Sequence, residues 1–192
     1  MILEDKLSAD VPKIDTLEKP SHGPVRGNYA FIDGQNLNMG IKKLGWNLDF
    51  RKFHIYLQQK YNVKKAFFFV GMVEEQADLY ANLLSMGYDL ILKPTVEHKE
   101  GTVKGNIDAD LVLHAMIEVE NYEKAVAVSG DGDFYGLYEY LQGRDKLGRI
   151  IVPNRQFSTL LNSFLPFIDR LDGLKRDLAY KKPPRKLPPN KK

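Results

Sequence analysis

Four aspartates, Asp33, Asp108, Asp131 and Asp133, define the chemistry this sequence could perform. Asp33 directly follows the apolar run Tyr29-Ala-Phe-Ile32, and Asp131 and Asp133 follow Ala125-Val-Ala-Val128 within Ser129-Gly-Asp-Gly-Asp133. Asp108, with Asp110 two residues on, opens the amphipathic stretch Ile107–Val119. Carboxylates crowded together repel, and each raises the proton affinity of the others. A cation relieves that repulsion, and an all-oxygen donor set without cysteine selects a hard ion, Mg²⁺ or Mn²⁺, over zinc. Such an ion activates water and stabilises the charge that develops as a phosphodiester is cut. Taken singly, each of these motifs is a common turn or helix-start composition. What matters is whether the elements that carry them open at one place.

The pattern along the chain alternates strands and helices. Short apolar runs at Tyr29–Ile32, Lys65–Gly71, Tyr88–Leu92, Ala125–Val128 and Gly148–Val152 read as buried strands. Helical periodicity lies between them, near Asn36–Lys43, Phe50–Gln59 (capped by Asp49), Glu74–Met86, Ile107–Val119, Phe134–Leu141 and Phe157–Phe164. Thr95–Lys104 is polar and reads as a loop or weak hairpin, Pro166–Ile168 as a short edge strand, and Leu171–Tyr180 as a last helix. This order predicts an α/β fold: three layers, with a central, mainly parallel sheet of about five strands and helices on both faces. In such sheets ligands bind outside the carboxyl ends of the strands, where the strand order reverses. Asp33 and Asp131 both leave a strand at that edge, and the helix opened by Asp108 starts there.

Composition narrows the setting. The chain has 192 residues, 43% of them hydrophobic, with no cysteine and a net charge of +3. A disulfide framework, a thiolate metal site and a cysteine nucleophile are excluded. No apolar run reaches the length of a membrane span, and the N-terminus lacks the pattern of a signal peptide, so a soluble cytoplasmic protein is expected. Eight of the 28 Lys and Arg fall within residues 175–192, leaving a mildly acidic body of 20 basic and 24 acidic residues. The expected organisation is an N-terminal arm, 1–27, a domain over 28–180 and a basic proline-rich tail, 181–192. Such a tail attracts phosphate backbones. No glycine-rich phosphate loop is present, so no nucleotide cofactor is expected.

Three segments, Phe31-Ile-Asp-Gly-Gln-Asn-Leu37, Val103-Lys-Gly-Asn-Ile-Asp-Ala-Asp-Leu111 and Val128-Ser-Gly-Asp-Gly-Asp-Phe134, stand in an order that resembles the NYN domain, most of all its LabA-like branch in the PIN-like nuclease superfamily. The resemblance covers roughly 28–171. It implies a PIN-like (Rossmann-like) fold, a divalent-metal site at the carboxyl edge, and a metal-dependent endoribonuclease acting on RNA, expected to be single-stranded. By motif position Asp33, Asp108, Asp131 and Asp133 would be the metal-holding acids, with Asn36, Ser129 and Asp110 supporting them. His114 departs from the pattern, since relatives often carry another acid there. Lys104, Lys93 and Arg155 are candidates to meet substrate phosphates, and Trp46 and Phe157 to stack a base. An RNA-binding or scaffold role with little catalysis is the alternative, and homodimerisation stays open. A haloacid-dehalogenase-type phosphatase ranks low, because Asp33-Gly-Gln35 lacks the acid that chemistry needs two residues after its nucleophile.

Overall fold

The computed structural model describes residues 27–72, 76–93, 96–97, 103–104 and 107–181, the side chains of 96–97 and 103–104 excepted. The expected N-terminal arm, the proline-rich tail beyond Lys181, the start of the helix read from Glu74, and part of the Thr95–Lys104 segment lie outside them. Among the described residues there are eight strands: β1 Asn28–Asp33, β2 Val63–Gly71, β3 Asp89–Lys93, β4 Val96–Glu97, β5 Val103–Lys104, β6 Ala125–Val128, β7 Leu147–Val152 and β8 Ile168–Arg170. The helices are α1 Gly34–Lys42, α2 Phe50–Tyr61, α3 Ala77–Ser85, α4 Asp108–Ile117, α5 Tyr135–Gly143 and the single turn α6 Lys175–Leu178.

Six strands form one sheet in the order β3-β2-β1-β6-β7-β8, every neighbouring pair parallel. Successive strand residues face opposite sides of a sheet, and both sides are buried here. Tyr29 and Phe31 point to the layer of α4 and α5, with Leu111, Ala115, Tyr138 and Leu141. Ala30 and Ile32 point to the layer of α1 and α2, with Leu37, Ile41, Phe53 and Leu57. A strand buried on both faces must be apolar at every position, which is why these runs show no alternation.

Helix boundaries follow local chemistry. Asp33 accepts from the Asn36 amide and caps α1, and Asp49 caps α2 through the Lys52 amide. Asn62, at φ 52°, ends α2 in the left-handed conformation that asparagine tolerates.

Two expected helices depart from their reading. Thr159–Phe167 is a 3₁₀ run that contains Pro166, a residue without an amide hydrogen to continue an α-helical ladder. The segment expected as a helix over Leu171–Tyr180 is a 3₁₀ turn at Asp172–Leu174 followed only by α6. The expected edge strand falls at Ile168–Arg170 and makes the sheet six-stranded. Residues 96–97 and 103–104 pair as an antiparallel ribbon, the hairpin alternative. Beyond α6 the chain is clasped to the start of α2. Leu48 bridges Ala179, the Asp49 amide donates to Leu178 O, and the Tyr180 amide donates to Asn47 O.

Candidate functional site

The strand order reverses between β1 and β6, which lie side by side and pair from Tyr29–Ala125 to Ile32–Val128. At their carboxyl ends Asp33 and Ser129 emerge together. Asp33 is 5% exposed and Ser129 1%. The Ser129 hydroxyl donates to Asp33 Oδ2 at 3.1 Å, and the Asn36 amide donates to Asp33 Oδ1 at 3.0 Å. Ser129 Oγ in turn accepts from the Asp131 amide at 3.2 Å, and Asp131 Oδ1 accepts from the Asp133 amide at 3.1 Å. Asn36 Oδ1 accepts from the Gly130 amide at 3.0 Å, tying the first turn of α1 to the β6 loop. Five hydrogen bonds thus connect the two acid-bearing loops internally and to each other.

Two glycines make the close approach possible. A Cβ on Gly34 would strike the Phe68 ring and stand 2.8 Å from Phe69 O. One on Gly132 would strike the Ser158 hydroxyl, with Leu160 Cδ1 at 2.9 Å. No side chain fits at either position without moving β2 or the segment after β7.

Burial pushes the Asp33 carboxyl above its ordinary range. The hydrogen bonds from Asn36 and Ser129 pull it down, and the charges of Asp108 and Asp131 push it up again. Asp108 and Asp131 are half-buried and Asp133 is exposed. Among the described residues no Lys or Arg pairs with Asp33, Asp131 or Asp133. The chemistry of this donor set, oxygen atoms only, suits a hard divalent ion. As the side chains stand, no three acidic or histidine groups among the described residues lie close enough to hold one ion together.

The other expected site residues divide. Asn36 and Ser129 are the connectors just described. Asp110 lies 2.8 Å from Lys93 Nζ, so the end of β3 is ion-paired to the first turn of α4. His114 Nδ1 sits 2.8 Å from Asp110 O and its ring packs against Phe67 and Phe69. A carbonyl can only accept, so Nδ1 carries the proton, and the histidine braces α4 on the sheet. Arg155 pairs with Asp172 at 3.4 Å. The Lys104 backbone lies in the ribbon, and its side chain is outside the described residues. Trp46 is core, 8% exposed in the α1–α2 layer, so it offers no stacking face. Phe157 is half-buried against the opposite layer.

Two residues were not singled out from sequence. Asn154 is buried just beyond β7, its Nδ2 donating to Gly40 O at 2.8 Å while its Oδ1 accepts from the Gln156 amide at 2.7 Å. A polar residue directly after a strand at this rim was the available signal. Tyr138 is fully buried and its hydroxyl makes no hydrogen bond among the described residues. Burial raises its pKa, and the charges of Asp33 and Asp131 add to the rise. Its helical spacing from Phe134 and Leu141 gives an ordinary core reading, so the sequence carried no signal.

A family model described as the NYN domain matches residues 29–171. The low amplitude and bright protein LabA of Synechococcus elongatus is 30% identical over 124 residues, 59% of this chain and 67% of that protein. The crystal structure of a Vibrio parahaemolyticus protein of unknown function superposes with a TM-score of 0.67 at 24% identity, over 83% of this chain and 99% of the other. That likeness bears on the fold. Among the described residues no helix is long and apolar enough to cross a membrane.

Proposed function

Because the chain belongs to the NYN domain family, a branch of the PIN-like nucleases, we propose that it is a metal-dependent endoribonuclease that cuts single-stranded RNA at the β1–β6 rim. The observation that carries this reading is the bonded relay from Asp33 through Ser129 to Asp131, with Asp108 close enough to raise the Asp33 carboxyl. Asp33, Asp108 and Asp131 would hold Mg²⁺ or Mn²⁺, with Asp133 at the outer edge. The bound ion would supply an activated water and neutralise charge on the phosphodiester.

The chain's own residues do the positioning. Ser129 and the Asn36 amide fix both oxygens of Asp33 by single hydrogen bonds, which leaves each oxygen acceptor capacity. Asn36 holds the Gly130 amide and so fixes the loop that presents Asp131. Binding an ion requires the half-buried Asp108 and Asp131 to swing toward the fixed Asp33. The catalytic unit is taken as residues 28–180. The absence of cysteine is in keeping with a reducing, cytoplasmic setting.

The test is cleavage of single-stranded RNA with Mn²⁺. Asp131→Asn is expected to lower the rate by more than roughly 100-fold, beyond the 10–100-fold typical when an outer support of a metal site is lost. Ser129→Ala should fall within that smaller range. Full activity in Asp131→Asn would sink the assignment. A second reading, RNA binding without catalysis, is favoured by the lack of a closed three-acid site among the described residues. RNA binding unchanged in EDTA, with no cleavage under either metal, would select it.

A further inference from the structure

A chain of three surface depressions leads away from the acidic rim. The first, about 140 Å³, begins at Asn36 and runs over Gly40 and Pro153. The second, about 190 Å³, shares Lys43, Asn154 and Gln156 with it and extends to Arg155 and Asp172. The third, about 520 Å³, shares Asp172 with the second and reaches Arg170 and Phe157. The floor is rigid. Asn154 bonds across it to Gly40 O and Gln156 N, and a Cβ on Gly40 would stand 2.5 Å from Pro153 Cβ.

The lining mixes cationic, amide and apolar groups with two carboxylates, Asp169 and Asp172. Lys43 is exposed and pairs with no carboxylate among the described residues. Asp172 sits between two guanidiniums, with Arg155 Nε at 3.4 Å and Arg170 Nε at 3.6 Å. Those side chains are 77% and 45% exposed, so both are open to solvent. Met39 and Leu44 give apolar surface between the cations, and the exposed Gln156 amide offers both a donor and an acceptor.

We propose that this groove is the path of single-stranded RNA on one side of the cleaved bond. Lys43, Arg155 and Arg170 take backbone phosphates, and the Asp172 carboxylate occupies a phosphate position until the strand arrives. The inference rests on the proposed cleavage at the rim, to which the groove is joined through Asn36. A flexible single strand can follow small depressions with apolar floors and set unstacked bases in them, whereas duplex RNA presents shape and phosphates across a broad surface. Carboxylate and phosphate make similar forked contacts with guanidinium, so exchange of one for the other keeps both arginines satisfied.

The experiment is fluorescence anisotropy with a short labelled single-stranded oligoribonucleotide in EDTA, across a salt series. Lys43→Ala and Arg155→Ala should each weaken binding and flatten the log–log salt slope by about 0.7, one phosphate contact on a single strand. Asp172→Asn should tighten binding by freeing both arginines. Lys64→Ala, an exposed cation near the start of β2, should change neither. Slopes unchanged in Lys43→Ala and Arg155→Ala, or equal losses in Lys64→Ala, would overturn the groove, as would absence of binding by the unmodified protein. Loss of cleavage in Asp131→Asn alongside unaltered binding by the groove variants would leave the nuclease reading standing and remove this one. The reverse pattern would keep the groove and remove the nuclease.

Discussion

Asp33 serves two structural ends with one carboxylate. Its Oδ1 caps α1 and its Oδ2 receives the Ser129 hydroxyl, so the acid is oriented by the bonds that start the helix and tie β1 to the β6 loop. Its burial and the nearby charges of Asp108 and Asp131 oppose ionisation. The acids were legible in the sequence because each stands at the end of an apolar run or the start of a helical one. Their fine geometry was not, since nothing in Ser129-Gly-Asp shows that a hydroxyl will bridge two carboxyl-bearing loops. Tyr138 was equally hidden. A buried hydroxyl without a partner costs about 1–3 kcal/mol, so Tyr138→Phe, which preserves volume, should raise stability by about 1 kcal/mol or more. Chemical denaturation would show this as a higher midpoint at unchanged slope. A loss of stability instead would mean that the hydroxyl has a partner, and would connect it to the acids whose charge it feels.

Elements built from strong local signals matched their reading, and those that depend on neighbours did not. The Asp49 cap and the doubly buried strands follow from residue type, whereas Asn62, which was not read as a stop, ends α2 two residues beyond the expected Gln59. The 3₁₀ run at Thr159–Phe167 has a helical apolar pattern, but Pro166 and the short return to β8 impose a tighter winding. Helix α2 also carries a pH-sensitive contact. His54 stacks edge-on to Tyr88, ring centroids 4.8 Å apart, and lies against Gly87. Burial lowers its pKa from 6.5, opposed by a hydrogen bond with the Gly87 backbone and the charge of Asp89. Just below pH 6.5 the unfolded chain therefore binds the proton more readily than the folded one. This contribution is intact above 6.5 and is lost as the pH falls through the lower folded value. Thermal melts across that range should show His54→Gln with a shallower loss of stability on acidification than the unmodified protein. Parallel curves would exclude His54 as the source.

At the scale of the molecule, parallel pairing and the reversal of strand order were predictable from alternation and right-handed crossovers. The adjacency of β1 and β6 was a condition of the sequence argument, and the register from Tyr29–Ala125 to Ile32–Val128 meets it. The close packing of the acid-bearing loops was beyond reach, because it depends on glycine contacts with β2 and with the segment after β7. Charge distribution gives a further expectation. Ending the chain after Lys181 removes five Lys and Arg residues yet keeps the clasp at Tyr180. The shortened chain should bind single-stranded RNA with a weaker salt dependence and keep its turnover at saturating RNA. An unchanged salt slope would show that the tail does not contact the substrate.

The partnership of Asp33 with Ser129 spans 96 positions of the chain. A ribosome adding about 5–20 residues per second needs roughly 5–20 s to travel that far. Throughout that interval the nascent polypeptide has made Asp33 but neither Ser129 nor Asp131. The bonded junction between the two loops therefore cannot close until the second of them has been synthesised, well past the midpoint of the chain.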